Sequence, residues 1–99
     1  MALGIVWRQE SHMTTENGRL RTPRDREIGR YVGARIRAFR LGHSPHISLQ
    51  AVADEIERTP QQLDKYERGQ NRVGAGQLYI IAQVLGVSVD DFFEGLPEV

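Results

Sequence analysis

The chain lacks cysteine, and this absence excludes disulfide bonds and thiolate zinc sites. It also lacks an apolar run near membrane-spanning length, and no signal-peptide pattern precedes a cleavage site. Alternation of apolar and polar residues at period two is absent, whereas apolar residues recur at helical spacing. The 99 residues therefore predict one all-α domain, and the missing cysteines fit a cytoplasmic protein.

The formal net charge is zero, because the 13 basic and 13 acidic residues cancel. The charges are nevertheless separated along the chain. Eight arginines stand against two acidic residues between positions 19 and 40, whereas residues 73–99 contain four acidic residues and no lysine or arginine. This separation predicts one face that attracts phosphate and another that repels it. The alternative is that the arginines only solvate a helix.

The stretch 47–69 predicts two short helices joined by a tight corner. Ser48 is placed to cap the first helix, whose apolar stripe consists of Val52, Ala53 and Ile56. Thr59 caps the second helix and is followed by a proline at the first helical position. Further signals of this second helix are the capping-box partner Gln62, the inward residues Leu63 and Tyr66, and the stop at Gly69.

This geometry leaves a polar outer face on the second helix of the pair, formed by Pro60, Gln61, Gln62, Asp64, Lys65 and Arg68. A glutamine can pair bidentately with adenine, and a lysine can reach guanine or phosphate. An ordinary solvated helix face is the alternative interpretation. The alanine in the first helix and the short corner favour a helix-turn-helix.

One helix is predicted before this pair and two after it. The earlier helix starts at the cap-proline sequence Thr22-Pro23, buries Ile28, Val32, Ile36 and Phe39, and turns Arg30, Arg37 and Arg40 away from the core. Its glycines Gly29 and Gly33 indicate close packing or fraying. A fourth helix is expected over roughly 75–85, and a capping box at Ser88 opens a short fifth helix. His43 and His46 invite a metal hypothesis, but no further ligand cluster accompanies them, so we predict no metal or cofactor.

Several of these segments carry a family resemblance. Residues 28–95 resemble a phage-repressor-type (Cro/repressor, XRE) helix-turn-helix domain. The resemblance lies in Arg35-Ile36-Arg37, Ser48 with Val52-Ala53, Lys65-Tyr66-Glu67-Arg68-Gly69, Leu78 through Ser88, and Asp91-Phe92-Phe93. It implies a compact five-helix repressor-like DNA-binding domain with the helix-turn-helix at its second and third helices.

The resemblance also implies sequence-specific binding of double-stranded DNA, usually as a homodimer on a near-palindromic operator. Base-reading positions fall on Pro60, Gln61 and Lys65, with Thr59 and Gln62 beside them. Other DNA contacts are expected from Ser48 and Gln50, from Arg68, and from the segment Gln70, Asn71 and Arg72.

Three positions depart from the family pattern. Leu49 stands where members often carry a glutamine, which leaves Gln50 as the substitute phosphate contact. Glu57 occupies the corner position that is commonly glycine, so a positive φ there would be strained. The loop before the second helix is two residues longer than usual, around Ser44-Pro45.

At the level of domains, we predict a flexible or tag-derived leader over 1–21, a helix-turn-helix DNA-binding domain over 22–96 and a tail over 97–99. Ser11-His12-Met13 resembles an expression-vector scar, and the alternative is a genuine arm that straps a dimer. The predicted dimer interface consists of Val89, Phe92, Phe93 and Leu96, although one phenylalanine is expected to complete the monomer core.

The leading function is a transcriptional regulator that acts by occupying its operator. The alternative is an antitoxin-like protein that mainly binds a protein partner and uses DNA binding for autoregulation. An enzyme is not expected, because the carboxylates lie at caps and on solvent faces without a paired acid and histidine constellation.

Overall fold

The computed structural model describes residues 21–97. Within this range the backbone forms four α-helices and a 3-10 turn, with no strand. They are α1 (Pro23–Gly42), α2 (Leu49–Glu55), α3 (Pro60–Glu67), α4 (Ala75–Leu85) and the 3-10 turn Val89–Phe92. The all-α prediction is confirmed for this part of the chain. Residues 1–20 of the leader and the last two residues lie outside the described range, so the domain boundaries stay predictions.

The predicted short fifth helix is present only as a 3-10 turn of four residues, so the count of five α-helices is not confirmed. Its start matches the sequence signal, since the Asp91 carboxylate accepts a hydrogen bond from the Ser88 N–H at 2.9 Å. The turn cannot lengthen into an α-helix, since Gly95 has a φ of 95° and Pro97 follows with no N–H to donate. The predicted start is therefore confirmed, and the helix ends after one turn.

The predicted N-caps at Thr22, Ser48 and Thr59 are confirmed. In each, the hydroxyl oxygen accepts a hydrogen bond from the backbone N–H three residues later, at 3.0 Å for Thr22 and Ser48 and 3.1 Å for Thr59. A proline occupies the first position of α1 and of α3, where a missing N–H removes no helical hydrogen bond. These local signals fix where the helices begin.

The core lies where the four helices and the 3-10 turn meet. Its buried apolar residues are Val32, Ile36, Val52, Ala53, Ile56, Leu63, Tyr66, Ile81, Ala82, Leu85 and Phe92. Phe92 packs edge-to-face on Phe39 of α1, with ring centroids 5.8 Å apart. Complete burial of a leucine, isoleucine or phenylalanine contributes about 1.5–3 kcal/mol each. Every buried side chain of the predicted stripes in α2 and α3 belongs to this core.

Helix α1 touches the other elements on two sides. On one side, a Cβ at Gly33 would lie 2.7 Å from the Glu67 carbonyl oxygen, so only glycine permits this approach to α3. On the other side, Arg35 donates to the Asp91 carbonyl oxygen at 2.8 and 3.2 Å, and the Tyr31 hydroxyl donates to that of Glu94. Gly33 therefore supports the close-packing interpretation, whereas a Cβ at Gly29 would make only ordinary contact.

The corner between α2 and α3 takes the conformation that its family position implies. Glu57 has a φ of 57°, as expected for a site that is commonly glycine. The Arg58 N–H donates to the Ala53 carbonyl oxygen at 3.0 Å and closes the turn. An L-residue with a side chain pays roughly 1–2 kcal/mol in this left-handed region.

We therefore expect Glu57→Gly to raise the free energy of unfolding by on the order of 1 kcal/mol. For a domain of this size, such a change raises the thermal midpoint by about 4–8 °C. Glu57→Ala is the matched control, because it removes the same charge and keeps the Cβ. Equal midpoints for the two variants would show that charge, and not backbone strain, controls this corner.

Candidate nucleic-acid interface

Helices α2 and α3 present the predicted recognition surface. Leu63 and Tyr66 turn inward from α3, which leaves Gln61, Lys65 and Arg68 exposed on its outer side. A shallow depression runs between this side of α3 and the start of α2. It is lined by Leu49, Pro60, Gln61, Asp64, Lys65, Arg68 and Gln70. Five of the residues predicted to bind DNA thus share one concave surface.

The other predicted positions lie around this depression or apart from it. Ser48, Gln50 and Thr59 are exposed, and both hydroxyls are used as helix caps. Gln62 is half-buried. Asn71 and Arg72 instead line a separate cleft against the first turns of α1. They are therefore not part of the depression.

Leu49 packs against the core and is partly buried. Its side chain also forms the apolar wall of the depression, beside Pro60. Leucine is thus accommodated at this position, where family members often carry a glutamine, because its apolar side chain packs against the core. Gln50, one residue later, is exposed.

Three predicted DNA-contacting side chains already bind a carboxylate of the same chain. Gln50 Nε2 donates to Asp54 Oδ1 at 2.6 Å. Arg68 Nε lies 3.0 Å from Asp64 Oδ2, and Arg72 Nη2 lies 2.8 Å from Asp25 Oδ2. In each of the first two pairs, the partners are four residues apart and therefore lie on the same face of a helix. The sequence spacing thus indicated these two contacts. The third joins residues 47 apart and had no local signal.

The end of α3 directs the chain toward α1. Gly69 has a φ of 74°, its N–H donates to Tyr66 O, and the Gln70 N–H donates to Lys65 O at 2.9 Å. These two bonds form a Schellman motif, which confirms the predicted stop. A Cβ at Gly69 would lie 2.7 Å from the Arg30 Cα, so the glycine also allows α1 to approach. The positions of Asn71 and Arg72 follow from this turn.

A buried ion pair holds α3 on α1. Arg40 contacts Glu67 twice, with Nε to Oε2 at 2.7 Å and Nη2 to Oε1 at 2.9 Å, and its Nη1 donates to Ile47 O at 3.0 Å. The two residues are only 7% and 4% exposed. The hydrogen bond to Glu67 raises the pKa of Arg40 above its ordinary value, while burial opposes this shift.

Glu67 is thus bound to an arginine of α1. The prediction that Arg40 points away from the core is wrong, because a guanidinium with all these partners is stable inside. Arg30 and Arg37 are exposed, as predicted.

The two loop histidines differ in their surroundings. His43 Nε2 donates to the Leu85 carbonyl oxygen at 2.8 Å and so ties the loop to the end of α4, while His46 is exposed. In the part of the chain that the structure covers, no three histidine, aspartate or glutamate side chains gather as metal ligands would. No helix there is long and apolar enough to cross a bilayer.

The predicted dimer residues differ in their exposure. Phe92 is 0% exposed, so the proposal that it contacts a partner is wrong, and it is the phenylalanine that completes the core. Phe93 is 38% exposed, and Val89 and Leu96 are partly exposed. The surface available at this site is therefore smaller than the sequence suggested.

Comparisons with known proteins agree with this geometry. A family model described as helix-turn-helix matches residues 36–92, which span α2, α3, α4 and the 3-10 turn. The chain belongs to this helix-turn-helix family, which is of the XRE type. The resemblance noted in the sequence is thus confirmed.

Similar proteins come from several bacteria. An uncharacterised HTH-type transcriptional regulator of Rickettsia conorii is 42% identical over 72 residues, covering 73% of this chain and 56% of the relative. Another from Sinorhizobium fredii is 46% identical over 68 residues, covering 69% and 46%. The chain thus spans about half the length of these curated relatives.

Among solved structures, the clp gene regulator ClgR from Corynebacterium glutamicum is similar. It aligns with a TM-score of 0.62 and 29% identity over 67% of this chain and 68% of that one.

We predict that removing one member of the buried pair destabilises the protein strongly. Arg40→Met leaves the Glu67 carboxylate buried without its cation, which typically costs about 3–5 kcal/mol. Urea unfolding of Arg40→Met, Glu67→Leu and the double variant measures this effect. The double variant should recover much of the loss, since it buries no unpaired charge. A double variant as unstable as the sum of the single variants would contradict this account.

Proposed function

We propose that this protein is a transcriptional regulator that binds specific sequences of double-stranded DNA as a homodimer on a near-palindromic operator. The observation that carries the proposal is the single exposed stripe of α3 on which Gln61, Lys65 and Arg68 line one concave surface. Membership of the helix-turn-helix family supports it. We assign the DNA-binding domain to residues 22–96.

In this proposal, α3 enters the major groove with its first turn toward the base edges. Gln61 offers the amide that can pair bidentately with adenine. Lys65 lies one turn further along the same stripe and reaches guanine or phosphate. The first turn also carries Pro60, which is partly exposed beside the glutamine.

Phosphate contacts surround this stripe. Ser48 and Gln50 at the start of α2 are exposed and would meet the backbone on one side of the groove. Asn71 and Arg72 would meet it on the other side, where the Schellman turn directs the chain. The ion pair of Arg72 with Asp25 is half-exposed on both sides, so a phosphate can reach the guanidinium. Thr59 and Gln62 flank the reading stripe.

The dimer in this proposal forms through Val89, Phe93 and Leu96. The twofold axis would place the two α3 helices about 34 Å apart, one turn of B-DNA. The antitoxin-like alternative rests on the acidic C-terminal half alone, and the relatives reported above are described as transcriptional regulators instead.

Selection of bound duplexes from a random library tests the proposed function. We expect a near-palindromic consensus. An unenriched pool, at protein concentrations where the folded dimer persists, would overturn the proposal.

Two alanine variants separate sequence reading from general attachment. Gln61→Ala should lose about 1–3 kcal/mol on the consensus site and relax base preference at one step per half-site. Arg72→Ala should weaken binding to all sequences about equally and lower the slope of log affinity against log salt by about one unit. Affinities for consensus and shuffled duplexes at two salt concentrations measure both effects. A uniform loss for Gln61→Ala with an altered consensus for Arg72→Ala would place the reading face elsewhere.

The dimer proposal predicts that Phe93→Glu shifts sedimentation toward the monomer, because a charge in a small apolar contact is poorly solvated. Tyr79→Glu is the matched control, since Tyr79 is an aromatic residue of α4 that is 58% exposed and lies outside the proposed contact. Loss of the dimer in the Tyr79 variant alone would move the interface to α4.

A further inference from the structure

The two exposed arginines of the proposed interface are held by their aspartates in different ways. Arg68 is bound through Nε, the inner nitrogen of the guanidinium, 3.0 Å from Asp64 Oδ2. Arg72 is bound through Nη2, one of the two terminal nitrogens, 2.8 Å from Asp25 Oδ2. The difference decides which edge of each guanidinium is left for another acceptor.

In Arg68, the contact with Asp64 lies at the inner nitrogen, and neither terminal nitrogen donates a hydrogen bond to any residue between 21 and 97. The terminal pair is a fork of two parallel N–H donors, which matches the two acceptors O6 and N7 on the major-groove edge of guanine. In Arg72, the contact with Asp25 engages one of the two terminal nitrogens of that fork. Asp25 therefore competes with a bidentate acceptor at Arg72, whereas the contact of Asp64 with Arg68 lies away from the fork.

The position of Arg68 also fits a reading role. Gln61, Lys65 and Arg68 are spaced by four and three residues and so form one line along α3. All three line the same depression, and Asp64 lies in it beside Arg68. The Arg68 side chain is 65% exposed and that of Asp64 is 41% exposed, so the pair remains open to a ligand.

Asp64 restricts the conformations of the long Arg68 side chain. A free arginine side chain loses much of its rotamer freedom when it is fixed on a base. The ion pair within one helical turn restricts that freedom before DNA arrives. Asp64 thus acts as a positioning residue, because it contacts the Arg68 side chain and need not contact the base itself.

We propose that Arg68, positioned by Asp64, is a further specificity-determining residue that reads a guanine in each half-site. This inference rests on the proposed DNA-binding function and extends its reading stripe from Gln61 and Lys65 to the end of α3. The ligand chemistry is the O6/N7 edge of guanine in the major groove.

The test compares the consensus selected by the wild-type protein with those of three variants. Arg68→Lys keeps the positive charge and removes the fork, so the guanine preference at one position per half-site should fall by roughly tenfold. Affinity for shuffled duplexes should change by less than about twofold, because the phosphate-seeking charge is retained. Asp64→Ala should weaken the same preference and leave the other positions of the consensus intact.

Arg72→Lys is the matched control. It makes the same replacement in the other carboxylate-held arginine, and no base preference should change. A cycle of Asp64→Ala, Arg68→Ala and the double variant tests the positioning role, since Asp64→Ala should have no further effect on base preference once Arg68 is gone. Thermal melts verify folding, which these variants should retain because an exposed pair within one helical turn contributes little stability.

Two results would overturn the inference. One is an unchanged consensus for Arg68→Lys combined with a uniform loss and a shallower salt slope for Arg68→Ala, which would make Arg68 a phosphate contact. The other is an effect of Asp64→Ala on base preference that persists without Arg68, which would make Asp64 itself the reader. In both cases the wild-type consensus still stands, whereas the absence of any consensus would overturn the proposed function instead.

Discussion

The buried contact between Arg40 and Glu67 is the constraint on which the placement of α3 depends. Its two hydrogen bonds join the last turn of α1 to the last residue of α3, and a third bond reaches the loop at Ile47. A short helix of eight residues has little stability of its own. Tertiary contacts therefore hold α3 in place, with this ion pair at one end and the buried Leu63 and Tyr66 along its inner face.

Much of the fold could be predicted because its signals are local. The hydroxyl caps at Thr22, Ser48 and Thr59, the prolines that follow two of them and the stop at Gly69 act within a few residues, and each is found where the sequence placed it. The length of the last element could not be predicted in this way. Its termination depends on a glycine conformation and a proline beyond the capping box, and these compete with the apolar pattern of the two phenylalanines.

The residue types at the candidate interface could be predicted from the sequence, but the ion pairs between distant segments could not. The polar face of α3 follows from helical period alone, since the inward residues determine the outward ones. The pairing of Arg72 with Asp25 depends on how the chain folds back after α3, and no spacing in the sequence encodes it. The same holds for Arg40, whose burial requires a carboxylate from an element 27 residues away. Local sequence patterns do not predict tertiary ion pairs of this kind.

The two-sided packing of α1 has a consequence for the geometry of any assembly. One side of this helix lies against α3 at Gly33, and the other holds the C-terminal turn through Tyr31 and Arg35. Helix α1, about 10 Å across, thus lies between α3 and the C-terminal turn that carries the proposed pairing residues. In the proposed dimer, the thickness of this helix would contribute to the distance between the two recognition helices.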